Sequence, residues 1–145
     1  MSVPYAGWCP RGGWAEDFPH PPGLLARYPH LRATPLADPA QRTEWNIRDS
    51  EAVLILTAGA GIAVSPGTAL AVDLADRYRK PLLVVDLDET DAVAKTTSWL
   101  DGLMTSGAKE KPLRFGIGGP RESETPGIYQ RAVEFLRTAL RGAVK

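Results

Sequence analysis

Three stretches of the 145-residue chain hold residue types suited to gripping an anion. The first, AGAGIAVSPGT at 58–68, lies between an apolar run and a helical pattern. Small side chains let backbone N–H groups approach a ligand, and the N-terminus of the following helix favours negative charge. Ser65, Gly67 and Thr68 are the candidate contacts; a plain strand-to-helix turn is the other reading of the same residues. The second stretch, GIGGPRESETPG at 116–127, joins four glycines to Arg121, Ser123 and Thr125. A guanidinium and hydroxyls beside a glycine turn suit phosphate oxygens, which makes Gly119, Arg121 and Ser123 candidates. The alternative is that Arg121 and Glu122 form a solvated turn. The third is DPAQRTEWNIRDS at 38–50, where Arg42, Trp45, Asn46 and Asp49 recur at i, i+3, i+4 and i+7. That spacing gathers a cation, an aromatic, an amide and a carboxylate on one helical face, either as a solvated stripe or as a wall facing a ligand or partner.

The opening GWCPRGGWAED (7–17) adds two tryptophans, three glycines and the only cysteine. It has neither alternation nor helical spacing. Glycines there can admit a ligand closely while tryptophans supply a stiff apolar wall. Cys9 precedes a proline and has no evident base partner, so a buried structural thiol is the expectation. His20 and His30 lack metal-ligand spacing. Asp86 and Asp88 close an apolar run and can bind a cation or a ribose, although an aspartate capping the next helix is the commoner explanation.

Elements must bring these pieces together. AVLILTA (52–58) and PLLVVDL (81–87) read as strands buried on both faces. PLRFGIGG (112–119) reads as a shorter strand weakened by glycine, and VPYAGW (3–8) as a leading strand. Helices are expected over 39–50, 67–80, 90–104 and from Pro126 onward, with Asp38 and Thr125 as caps and Pro39 and Pro126 in the first turn. Strand alternating with helix implies a mostly parallel α/β sheet flanked by helices. Ligands in such sheets bind beyond the carboxyl ends of the strands, where the glycine-rich loops fall. Prolines at 10, 19, 21, 22, 29 and 35 block helix and central strand between 9 and 38. With its Trp, Phe, Leu and Tyr residues, this stretch reads as an ordered loop over a single domain spanning 1–145, with a short extended piece near 30–34.

Composition bounds the rest. Seventeen basic side chains balance seventeen acidic ones, so no net field favours nucleic acid or an anionic membrane, and an anion site must be local. No apolar run approaches a membrane span, and a cytoplasmic location is expected. One cysteine excludes an internal disulfide framework and a cysteine-based metal cage.

The ordered set GWCPRGGWAED, RTEWNIRDSEAVLIL, PGTALAVDLA, KPLLVVDL and GPRESETPGIY resembles the molybdenum-cofactor carrier family. That family is one of the Rossmann-like nucleotide-ligand binders, which also include the cytokinin-activating phosphoribohydrolases. The resemblance covers about residues 3–140. It implies a parallel α/β sheet, self-association into a homo-oligomer, and a small phosphorylated ligand at the strand ends, with molybdenum cofactor as the family's candidate. It places the anion loop at Pro66, Gly67 and Thr68 and the second loop at Gly119–Ser123. Trp8, Pro10, Arg11 and Gly12 then line the same edge. Two departures stand out: family members open with a strand and a GGQTG-like loop, so this Rossmann-like fold is expected to be N-terminally shortened with a sheet edge uncovered. Where the family often reads Gly-Gly-Thr, this chain has Pro66–Gly67–Thr68, and proline supplies no N–H. The phosphoribohydrolase branch follows its Gly-Thr with a glutamate; here those positions are Leu70 and Ala71. Binding is therefore favoured over catalysis, with a phosphoribohydrolase-like enzyme or a degenerate subunit as alternatives.

Overall fold

The computed structural model describes residues 3–60, 62–106 and 113–141. Gly61 of the first glycine-rich loop and Pro112, the expected start of the glycine-weakened strand, lie outside the described residues. The order of elements is β1 (Gly7–Cys9), α1 (Leu24–Arg27), β2 (Leu31–Ala33), α2 (Pro39–Asp49), β3 (Ala52–Thr57), α3 (Pro66–Arg77), β4 (Leu82–Asp86), α4 (Ala92–Ser106), β5 (Phe115–Gly118) and α5 (Ile128–Ala139). Two parallel sheets result, one of order β1–β2 and one of order β4–β3–β5.

β3 is the central strand, and all six of its residues are buried. Because side chains alternate across a strand, Val53 and Ile55 pack with Ile47 of α2 and with Ala71, Leu74 and Ala75 of α3. Leu54 and Leu56 point the other way, toward Val85 of β4 and Ala92, Trp99, Phe135 and Leu136 of α4 and α5. One apolar strand thus builds a helical layer on each face, as expected from its unbroken run.

α2 starts as its sequence predicts. Asp38 Oδ1 accepts the Ala40 N–H at 2.9 Å and Pro39 occupies the first turn. α3 is capped by Ser65, which takes the Thr68 N–H. Two expectations need correction. The first strand runs over 7–9 rather than 3–8, since Pro4 has no N–H for a ladder and its partner β2 is three residues long. α5 begins at Ile128 rather than at Pro126, after Gly127 at φ +89°. There Glu122 accepts the N–H groups of Gly127 and Tyr129 and performs the capping expected of Thr125.

The proline-rich segment is ordered by crossing over itself. Leu24 N–H donates to the Gly13 carbonyl at 2.8 Å, Thr34 N–H to Cys9 at 2.8 Å and Arg11 N–H to Leu36 at 3.1 Å. At Gly13 (φ +71°) a Cβ would run into the Pro22 carbonyl, and at Gly23 (φ +53°) into that of Gly13. Gly13 of the opening stretch and Gly23 thus face each other and serve a close crossing of two loop segments.

Candidate functional site

α2 leads into the amino end of β3, so its own first turn lies toward the carboxyl ends of the strands. Its contacts confirm that direction. Ser50 sits 2.8 Å from where a Cβ of Gly116 would be, near the start of β5, and one turn earlier Asn46 meets Trp8 in the middle of β1. Asn46 Oδ1 accepts the Trp8 N–H at 2.8 Å and Asn46 Nδ2 donates to the Trp8 carbonyl at 3.0 Å. Cys9 turns its carbonyl toward β2, so Trp8, one residue earlier, presents its polar groups to the other edge. The Asn46 amide therefore does there what a neighbouring strand would do.

The rest of the predicted helical face divides. Trp8 Nε1 donates to Asp49 Oδ2 at 2.8 Å, and Asp49 also pairs with Arg48. The Arg48 pair, followed by the indole bond, holds the Asp49 carboxyl below its ordinary value. Arg32 lies 4.2 Å over the Trp8 ring, Arg48 lies 4.7 Å over Trp45, and the two indoles meet edge to face at 4.7 Å. Trp8, Asn46 and Asp49 are thus committed to joining α2 to β1. Arg42 is different. Its Nε is buried and has no hydrogen-bond partner, and no acidic group pairs with it among the described residues. Burial pushes its pKa down; the Cys9 thiol opposes that shift and the neighbouring Arg121 adds to it. The second orphan among the described residues is Thr57 Oγ1, at the carboxyl end of β3. Sequence reasoning did not single out Thr57, and the only signal was a polar residue ending the most apolar strand.

The two glycine-rich loops do converge. Gly119 passes so close to β3 that a Cβ would collide with the Leu56 carbonyl, which fixes the start of the second loop against the central strand. Ser65 Oγ, 2.8 Å from Thr68 Oγ1, donates to Glu124 Oε1 at 2.9 Å. Arg121 N–H donates to the same oxygen at 2.8 Å, and the Arg121 guanidinium lies 3.4 Å from Glu124 Oε2. These contacts, the Arg121 N–H first, lower the Glu124 pKa. Ser123 donates to Glu16 through both its N–H and its hydroxyl, and Arg121 reaches Glu16 at 3.6 Å. The sequence placed Ser65, Thr68, Arg121 and Ser123 on one anion; the structure brings Ser65, Arg121 and Ser123 to two carboxylates of the chain itself, with Thr68 bonded to Ser65 behind them. Glu16 and Glu124 were missed, although an acid three residues after Arg121 was a visible cue.

Other candidates take quieter places. Gly67 is exposed in the first turn of α3, Pro10 is buried, Gly12 half-buried and Arg11 exposed. Cys9 is 1% exposed, and burial pushes its thiol pKa up. Asp86 accepts the Asp88 N–H, while Asp88 accepts from Gly59 N–H and Arg131, so both brace the turn after β4. His30 stacks on Tyr5. Among the described residues no three His, Cys, Asp or Glu side chains form a metal-binding group, and no helix is long and apolar enough to cross a membrane.

Parallel strands with a helical layer on each face and loops gathered at the strand ends make this a Rossmann-like α/β fold. The family comparison agrees. The model of the circularly permutated YpsA SLOG family matches residues 1–140, and the chain belongs to that family. Among solved structures it is similar to the "Putative molybdenum carrier protein" of Syntrophus aciditrophicus, with 31% identity and a TM-score of 0.75, over 95% of this chain and 80% of that one. No curated protein matches significantly.

Proposed function

We propose that this protein binds a small phosphorylated heterocyclic ligand at the carboxyl ends of its strands, with Arg42 receiving the anion. One observation carries the reading: a half-buried guanidinium whose Nε is buried and unpartnered, with Arg121 near enough to lower its pKa further. A half-buried cation without a counter-ion is held at a cost that an arriving anion would relieve. Among the expected charged ligands, Asp49 and Arg121 are already held in ion pairs, whereas Arg42 is not. Molybdenum cofactor is the candidate supported by the likeness to a protein named as a molybdenum carrier. Its terminal phosphate is opposite in charge to Arg42 and Arg121. Binding is preferred to glycosidic-bond cleavage because Ala71, where the phosphoribohydrolase pattern has a glutamate, is buried against the core.

Thermal-shift titration with phosphate, AMP and a pterin phosphate tests the proposal. Wild-type protein is expected to be stabilised in a saturable way and Arg42→Gln is not. Folded protein insensitive to all three would favour a degenerate subunit. Self-association belongs to the same proposal: β5 pairs only with β3 among the described residues, and its Ile117 is 45% exposed. Light scattering after size exclusion should then report at least a dimer, and a stable monomer would count against it.

A further inference from the structure

We propose that Glu124 is an internal occupant of the anion position at the head of α3, and that a phosphate-bearing ligand enters by exchanging with it. This rests on the anion-binding reading above and adds how the site is held before the ligand arrives. The Glu124 carboxylate is met by a hydroxyl (Ser65 Oγ, 2.9 Å), a loop N–H (Arg121, 2.8 Å) and the Arg121 guanidinium at 3.4 Å. Those three donor types, beside a helix N-terminus, make up an oxyanion cradle. The Glu124 side chain is only 11% exposed, whereas Arg121 is 55% exposed, so the carboxylate lies inside and the arginine lies over it from the solvent side. Glu16 engages Ser123 and Arg121 in the same way from the opening loop.

The charge balance makes exchange necessary. Arg42 and Arg121 bring two positive charges, and Glu16 and Glu124 bring two negative ones, to a protein with no net charge to spare. A phosphate placed beside both carboxylates would meet two like charges, with Arg121 already paired to them and Arg42 the one cation of the group left without a counter-ion. Moving Glu124 out frees Ser65, the Arg121 N–H and the Arg121 guanidinium together, and these join Arg42 as phosphate ligands. The carboxylate thus sets a threshold that weak anions such as chloride do not cross.

Glu124→Gln tests this, because glutamine keeps the length and an accepting oxygen but loses the charge that competes with phosphate. Calorimetric titration with inorganic phosphate and with AMP is expected to show Glu124→Gln binding about ten- to a hundredfold more tightly than wild type, the value of one displaced charge-assisted contact. Glu124→Ala, checked by its melting transition, provides a second variant that removes the competitor entirely and should also bind more tightly. If wild type binds and both folded variants bind equally or more weakly, Glu124 is a brace between the loops and the exchange proposal is overturned, while the anion-site reading stands. If wild type shows no binding but Glu124→Gln does, both stand. If none of the three binds, the anion-site reading itself fails and takes the exchange with it.

Discussion

Replacing Asn46 with alanine should unsettle the joint between α2 and β1. The side-chain amide makes two hydrogen bonds to the Trp8 backbone, at 2.8 and 3.0 Å. A hydrogen bond is worth about 1 kcal/mol net, and a backbone group left buried without a partner costs about 1–3 kcal/mol. Trp8 is half-buried, so water reaches these groups only in part, and the combined loss should be about 2–4 kcal/mol. At about 2–4 °C per kcal/mol for a chain of this size, the melting temperature should fall by about 5–15 °C. Urea unfolding at neutral pH, with the m-value unchanged, is the assay. Asn46→Asp is a sharper variant: it can still accept the Trp8 N–H but sets an oxygen against the Trp8 carbonyl, and it should rescue little. A loss below about 0.5 kcal/mol in Asn46→Ala, the range of an ordinary surface site, would refute the edge-pairing role and return Asn46 to the ligand.

Other outcomes follow from the same contacts. Arg42→Met should leave stability unchanged or raise it by about 1 kcal/mol, because a half-buried charge without a counter-ion is removed; a loss above about 2 kcal/mol would reveal an internal counter-ion. Gly119→Ala should lower stability by about 1–3 kcal/mol through collision with the Leu56 carbonyl, measured by thermal melting. Asp49 and Glu124 have folded pKa values below their ordinary 3.8 and 4.5. Their contribution is therefore present above those ordinary values and is lost as pH falls through the lowered ones. Urea midpoints measured from pH 7 to pH 3 should decline at the acid end, less steeply in Glu124→Gln; equal slopes would show that Glu124 does not differ between folded and unfolded states.

The sheet was legible because AVLILT and LLVVD carry their burial in their residue types, and the α/β order follows from where the helical stripes fall. The helix starting with Asp38 and Pro39 was equally plain, since capping is a local interaction. The start of α5 was not, because Glu122 reaches forward to Gly127 and Tyr129, a bond that spacing alone does not announce. The site shows the same divide. Helical periodicity put Arg42, Asn46 and Asp49 on one face, but only the position of β1 decides that Asn46 and Asp49 are taken by Trp8 and Arg42 is not. Glu16 lies 107 residues from its partner Ser123, a distance over which no sequence pattern constrains a pair.

The central claim is that an anion completes Arg42, and a crystal structure of the protein grown with AMP or a pterin phosphate tests it most directly. The account predicts a phosphate with an oxygen about 2.7–2.9 Å from an Arg42 guanidinium nitrogen, and Glu124 turned away from Ser65. A bound phosphate that sits elsewhere while Arg42 keeps its nitrogen unpartnered would contradict it.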